Sequence, residues 1–240
     1  MDLNAAALEA VLLSLRIAGV AVLWSLPLAF CLALLISSHR IAGIWRILLD
    51  GLVHLPLILP PVVIGYLLLI GLGGQSPLGQ WLENSFGIRF IFSWTGAALA
   101  AGLISLPFQV RAIRLSLEGI DPLLLGAAAS AGAGPWNRLF TILIPLSLPG
   151  IVAGAMTAFA AALGEFGAII TFVSNIPGET RTLPLAIYTA LQTPNGEALA
   201  TQLAGLSIAL ALTVLIAAEV VSRGLNRWLG RRPPAQAGWG

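Results

Sequence analysis

The chain has 240 residues, 58% of them hydrophobic and only 9% charged, with a mean hydropathy of +0.95. Soluble domains carry roughly 25% charged residues, so a water-soluble globule is excluded, and disorder with it, because disorder requires low hydrophobicity. One cysteine rules out a disulfide scaffold, and because all twelve basic residues are arginine there is no Walker A loop, whose lysine grips the nucleotide phosphates. What remains is an all-α integral membrane protein, with room for five or six spans at most if each takes about 20 apolar residues.

The first apolar run, 17–36, carries no charge and follows Glu9 and Arg16 on a segment that extends the same helix, giving a span over about 12–36. It is too long for a signal-peptide core and is followed by Ser37, Ser38, His39 and Arg40, so it reads as a retained span. The second run, 48–72, contains Asp50, His54 and three prolines, Pro56, Pro60 and Pro61. Such prolines are tolerable where neighbouring helices or an aqueous cavity satisfy the freed carbonyls. The third run is 92–110, the fourth is 139–163, bent by Pro145 and Pro149, and the last is 199–221. Between the last two, residues 164–198 hold apolar pieces too short to span on either side of SNIPGETRTLP, and read as a re-entrant or external segment.

Basic residues close to span ends stay in the cytoplasm. Placing 37–46, 111–138 and 222–240 inside leaves nine arginines there and only Arg89 and Arg181 outside, with Arg16 inside the first helix. This predicts one transmembrane domain over 1–240 with five spans, an external N-terminus and a cytoplasmic C-terminus. The polar tail RRPPAQAGWG then lies inside, its arginines set by topology and compatible with contact to anionic membrane lipid.

Raw material for catalysis is thin. There are two histidines and one cysteine, and no HExxH, CxxC or GxSxG pattern, so the chain reads as neither an enzyme nor a metal protein. Cys31, in a purely apolar stretch, reads as packing, and His54 as a satisfied histidine of the bundle. Gly150 and Gly154 form a GxxxG, for which a helix-dimer role is the alternative to chance in a chain with 26 glycines.

The cytoplasmic segment 115–138 is more informative. Asp121 followed by Pro122 is an N-cap with proline at the first helical position, where the missing N–H costs nothing. A short helix starts there, glycines 132 and 134 can end it, and Pro135 restarts a helix into the fourth span. Ala127–Ala129 strip one face of bulk, so another surface could approach the backbone.

The stretch GAAASAGAGPWNRLFTILIP resembles the cytoplasmic coupling motif of ABC-importer permeases: an acidic residue, two alanines, three variable residues and a glycine, then I-x-L-P. In that register fall Gly126, Ala127, Ala128, Gly132, Ala133, Ile142 and Pro145, with Gly126 departing from the usual Glu or Gln. The resemblance implies a type I permease fold whose coupling helix seats in a separate ATPase. Without the polar head, docking rests on backbone, Ala127 and Ala128, with Glu118 or Asp121 as candidate polar contacts.

GLVHLPLILPPVVIGYLLL, FQVRAIRLSLEGID and ALGEFGAIITFVSNIPGETRTLPLAIYTALQTPNGE further resemble permeases of molybdate importers. Sulfate permeases share the LGE-aromatic-G character but lack SNIPGETRTLP. The implied assembly is a homodimer with a second copy, two cytoplasmic ATPase subunits and a periplasmic molybdate-binding protein, in the bacterial inner membrane, with no cofactor and no nucleic acid. The resemblance places an outer gate at Gly164, Glu165, Phe166 and Gly167, with Phe166 as a plug. Glu165 has as its alternative a helix-end carboxylate paired with Arg181 or a neighbour. Thr157, Ser147 and Thr171 suit a weakly polar path for a dianion, which cannot cross hydrocarbon bare. Sulfate or tungstate import is the runner-up, and a self-sufficient secondary transporter comes last, since five spans do not divide into inverted repeats.

Overall fold

The computed structural model describes residues 3–38 and 43–228. His39, Arg40 and the tail 231–240 lie outside the described residues. Eleven helices run in order among those described: α1 Leu3–Ser37, α2 Gly43–Ile58, α3 Pro61–Leu72, α4 Pro77–Phe86, α5 Trp94–Glu118, α6 Pro122–Ser130, α7 Pro135–Arg138, α8 Ile144–Leu163, α9 Gly167–Val173, α10 Leu183–Leu191 and α11 Glu197–Trp228. Among the described residues, four stretches are long and apolar enough to cross a membrane, Ala6–Ser37, Trp94–Glu118, Pro135–Leu163 and Glu197–Val221. The second run, 48–72, is not one straight span: α2 and α3 are bent by 110°. Pro60 and Pro61 supply no N–H to continue the ladder, and Pro60 disfavours helical geometry at Leu59, so the chain turns there.

The centre of the bundle is α5, which packs against α1 on one side and α8 on the other. Its buried positions are mostly small, including Gly96, Ala97, Ala98, Ala100, Ala101, Gly102 and Ser105. Helices in lipid associate through close van der Waals contact, which small residues permit. A Cβ at Gly102 would enter the Trp24 ring, whose indole N–H donates to the Ala98 carbonyl at 3.2 Å. Gln109, fully buried, donates to Ser25 Oγ at 2.9 Å and joins α5 to α1.

The GxxxG of α8 faces this same centre. An added Cβ at Gly150 would collide with the Ser116 side chain, and one at Gly154 would sit 3.0 Å from Gln109 Cα. The motif therefore seats α8 on α5 within the chain, which corrects the dimer-interface alternative. Cys31 also departs from expectation: it is exposed on α1, pointing away from the helices that bury Ala29 and Ala33.

Helix α11 contrasts with α5, for none of its most apolar window is buried within the chain. Leu206, Ile208, Leu212, Leu215 and Ile216 are exposed there. Residues 164–198 fold as two short helices, α9 and α10, joined by a hydrogen-bonded loop.

Candidate functional site

Helix α6 forms as the sequence dictates. Asp121 caps it by accepting from the Leu123 N–H at 2.8 Å, with Pro122 at the first helical position. It ends in a Schellman pattern: Gly132 N–H donates to Ala129 O, Ala133 N–H to Ala128 O, and Gly132 takes φ +85°. None of its residues is buried. Gly126, Ala127 and Gly132 are exposed, while Ala128, Ala133, Ile142 and Pro145 are half-buried. Nothing lies within 4 Å of a Cβ added at Gly126. The two carboxylates named as candidate contacts are already engaged, Asp121 by the cap and Glu118 by Arg114 and Arg46.

Pro145 shapes the entry into α8. Its ring cannot sit above the Thr141 carbonyl in α-helical geometry, and the helix widens into a π turn over Leu139–Leu143, with the Ile144 N–H donating to Leu139 O. Trp136 and Phe140 stack at 6.3 Å beside α6, 71% and 62% exposed. Together with Leu123, 79% exposed, they give this end of the molecule an uncovered apolar face that the residue pattern of α6 alone did not reveal.

At the opposite end of α8, Gly164 is exposed and Glu165 is 7% exposed. Glu165 Oε1 accepts from the Ala168 N–H at 2.8 Å, so this carboxylate caps the start of α9. Arg181 is not its partner: its Nε donates to Asn175 Oδ1 at 3.0 Å. Phe166 is half-buried with its ring 5.1 Å from Tyr188. A Cβ at Gly167 would stand 3.0 Å from Pro61 Cβ, and one at Gly65 would stand 2.6 Å from Ala168 O. Glycine on each helix thus lets α3 and α9 touch, just beyond the bend between α2 and α3.

A cavity of about 710 Å³ opens between α8, α10 and α11 next to Gly164. Its lining is apolar apart from Thr157, Ser207 and Glu219. Of the three hydroxyls suited to a polar path, only Thr157 lines it. Ser147 is fully buried with its hydroxyl on Ile144 O, and Thr171 is half-buried with its hydroxyl on Gly167 O. Both donate to a carbonyl of their own helix, as Thr157 does to Ala153 O at 2.9 Å.

A third feature escaped the sequence reading. Arg114 Nη1 contacts Asp50 Oδ1 at 2.9 Å and its Nε contacts Glu118 Oε1 at 2.8 Å, while Arg46 reaches Glu118 at 3.4 Å. His54 Nδ1 lies 2.8 Å from the Asp50 carbonyl, consistent with a satisfied histidine. Asp50, His54, Arg111, Arg114 and Glu118 line a recess of about 300 Å³, and the ion pairs tie α2 to α5. The signal available was Asp50 itself, because an ionisable residue in an apolar run implies a partner.

Comparison with known proteins places this arrangement. Residues 25–232 match the family described as binding-protein-dependent transport system inner membrane component. The chain belongs to this family. It is 53% identical over 223 residues, 93% of this chain and 96% of the relative, to the molybdenum transport system permease protein ModB of Escherichia coli strain K12. It is 49% identical over 224 residues, 93% and 97%, to the protein of that name from Haemophilus influenzae. Among solved structures, a chain of the MetNI methionine ABC transporter superposes with TM-score 0.74 at 15% identity, covering 94% of this chain and 99% of that one. A chain of a bacterial alginate ABC transporter gives 0.72 at 21%, covering 91% and 78%. The fold is accordingly that of ABC-importer permeases. The protein is a multi-pass inner-membrane component of a transport system, and permease subunits of this kind are not themselves enzymes.

Proposed function

We propose that this chain is the membrane subunit of a molybdate importer, working as a homodimer with two ATPase subunits on α6 and a periplasmic molybdate-binding protein on the opposite face. The substrate comes from relatives that are about half identical over nearly the whole chain and carry molybdenum transport in their names. In this reading the N-terminus is external. Residues 17–36 cover about 30 Å at about 1.5 Å per residue, one hydrocarbon thickness. The Arg16 guanidinium lies 3.7 Å over the Trp94 ring, the pairing of basic and aromatic side chains that suits an interface.

The observation that carries the reading is α6, a capped helix between two spans with no buried residue and an aromatic pair beside it. An ATPase cleft closing on nucleotide would pull on this helix and, through the π turn, on α8. The outer gate is Gly164–Glu165–Phe166–Gly167, where Phe166 meets Tyr188. The second copy covers α11, and lipid covers the remaining apolar surface. The test is Ala128→Glu. It places an uncompensated charge on the docking face, so membrane insertion stays intact while the ATPase no longer co-purifies and uptake falls at least tenfold. Normal uptake by this variant would remove α6 from the coupling role.

A further inference from the structure

The external loop after α9 is organised around buried Thr180, whose hydroxyl donates to Ser174 O at 3.0 Å and accepts from the Ile176 N–H at 2.8 Å. The N–H groups of Glu179, Thr180 and Arg181 all point to Ile176 O. Ser174 is held at φ +66°, a left-handed conformation that a serine adopts only when its surroundings enforce it. Such a loop fixes the Cα of Arg181. The side chain is fixed as well, because Nε donates to Asn175 Oδ1 at 3.0 Å while Asn175 Nδ2 donates to Thr189 Oγ1 at 2.7 Å. Thr189 adjoins Tyr188, whose ring meets Phe166 of the proposed gate.

No carboxylate among the described residues lies within ion-pair distance of this half-buried guanidinium, although Glu179 is two positions away and Glu9 approaches Gly178. Engaged through Nε by a neutral amide, Arg181 keeps Nη1 and Nη2 as a planar fork, the geometry that grips an oxyanion through two charge-assisted bonds. Its surroundings make this useful. In the proposed topology the described charges at the external end are Glu9, Glu83, Glu165, Glu179 and Glu197 against Arg16, Arg89 and Arg181. A dianion meets a net-negative face there. Arg16 lies against Trp94, and Arg89 borders the α4 turn. Only Arg181 is linked to the gate.

We infer that Arg181, oriented by Asn175 and Thr189, is a receiving site for a tetrahedral oxyanion at the outer mouth, holding it briefly before Phe166 yields. The inference rests on the import reading given above and adds a residue that the gate motif does not contain.

The test uses the assembled transporter, purified with its ATPase subunits, and the arginine reagent phenylglyoxal, with modification of each arginine followed by peptide mass spectrometry. Sodium molybdate is expected to slow modification of Arg181 at least threefold relative to sodium chloride of equal ionic strength, leaving Arg89 unaffected. Equal protection by sulfate supports a site that reads the tetrahedral dianion. No protection by either anion, or protection only when the binding protein is added, overturns the site. In cells, Arg181→Gln should lower uptake about tenfold, as loss of one charge-assisted pair implies. Arg181→Lys, which keeps the charge without the fork, should lower it less, and Arg89→Gln should leave it unchanged. Wild-type uptake without anion protection would remove the site and keep the import reading. Protection without wild-type uptake would do the reverse.

Discussion

Gly150→Ala adds one methyl group at the place where α8 touches α5. The added Cβ would stand 2.6 Å from the Ala112 carbonyl oxygen and closer still to the Ser116 side chain, against an ordinary contact of 3.4 Å or more. The two helices must part by about 0.8 Å on the carbonyl contact alone, in an interface where α5 is already locked against α1. Overpacking of this size costs about 1–3 kcal/mol. Alanine returns about 1 kcal/mol of helix propensity, leaving a net loss of up to about 2 kcal/mol. Gly19→Ala on α1 provides the contrast, because nothing lies within 4 Å of its Cβ and only the propensity gain applies. Thermal unfolding of the purified complex in detergent, tracked by loss of the monodisperse peak, should place Gly150→Ala several degrees below wild type and Gly19→Ala at or above it. A Gly150→Ala protein stabilised as much as Gly19→Ala would refute the packing of the GxxxG on α5.

Two other substitutions probe the ends of the bundle. Glu165→Ala leaves the buried Ala168 N–H without its acceptor, a loss of about 1–3 kcal/mol, so its melting temperature should fall, while Glu165→Gln, which keeps an oxygen there, should recover part of the difference. An unchanged melting temperature in Glu165→Ala would show that the carboxylate does not cap α9. Arg114→Met removes the ion pairs that Arg114 makes with Asp50 and with Glu118. Because these side chains are partly exposed, each pair is worth about 1 kcal/mol at most, so the readout is local: protease should cut α2 faster than in wild type. Equal cleavage rates would mean that α2 is held by something else.

The features legible in the sequence were those that depend on neighbours in the chain. The start of α6 at Asp121 and Pro122 and its end at Gly132 need only capping chemistry, which local residues supply. Apolar runs marked the spans for the same reason. The angle between α2 and α3 was not legible, because prolines announce a break while its 110° depends on where α9 crosses Gly65. Nor was the side of α8 that faces α5, since a GxxxG is equally a contact within a chain or between chains. The Glu165 partner illustrates the same limit: a helix-end carboxylate could be expected, but its acceptor role toward the Ala168 amide depends on the turn made at Phe166. The bond from Arg114 to Asp50 joins residues 64 positions apart, and no local pattern encodes it.

Molybdate import is tested most directly by uptake at nanomolar concentration, with excess sulfate as competitor, in cells lacking this gene and in the same cells carrying it alongside the partner subunits. Uptake should be restored by the gene and left intact by excess sulfate. Restored uptake that sulfate abolishes would contradict molybdate as the substrate, and no restored uptake of either anion would contradict oxyanion import itself.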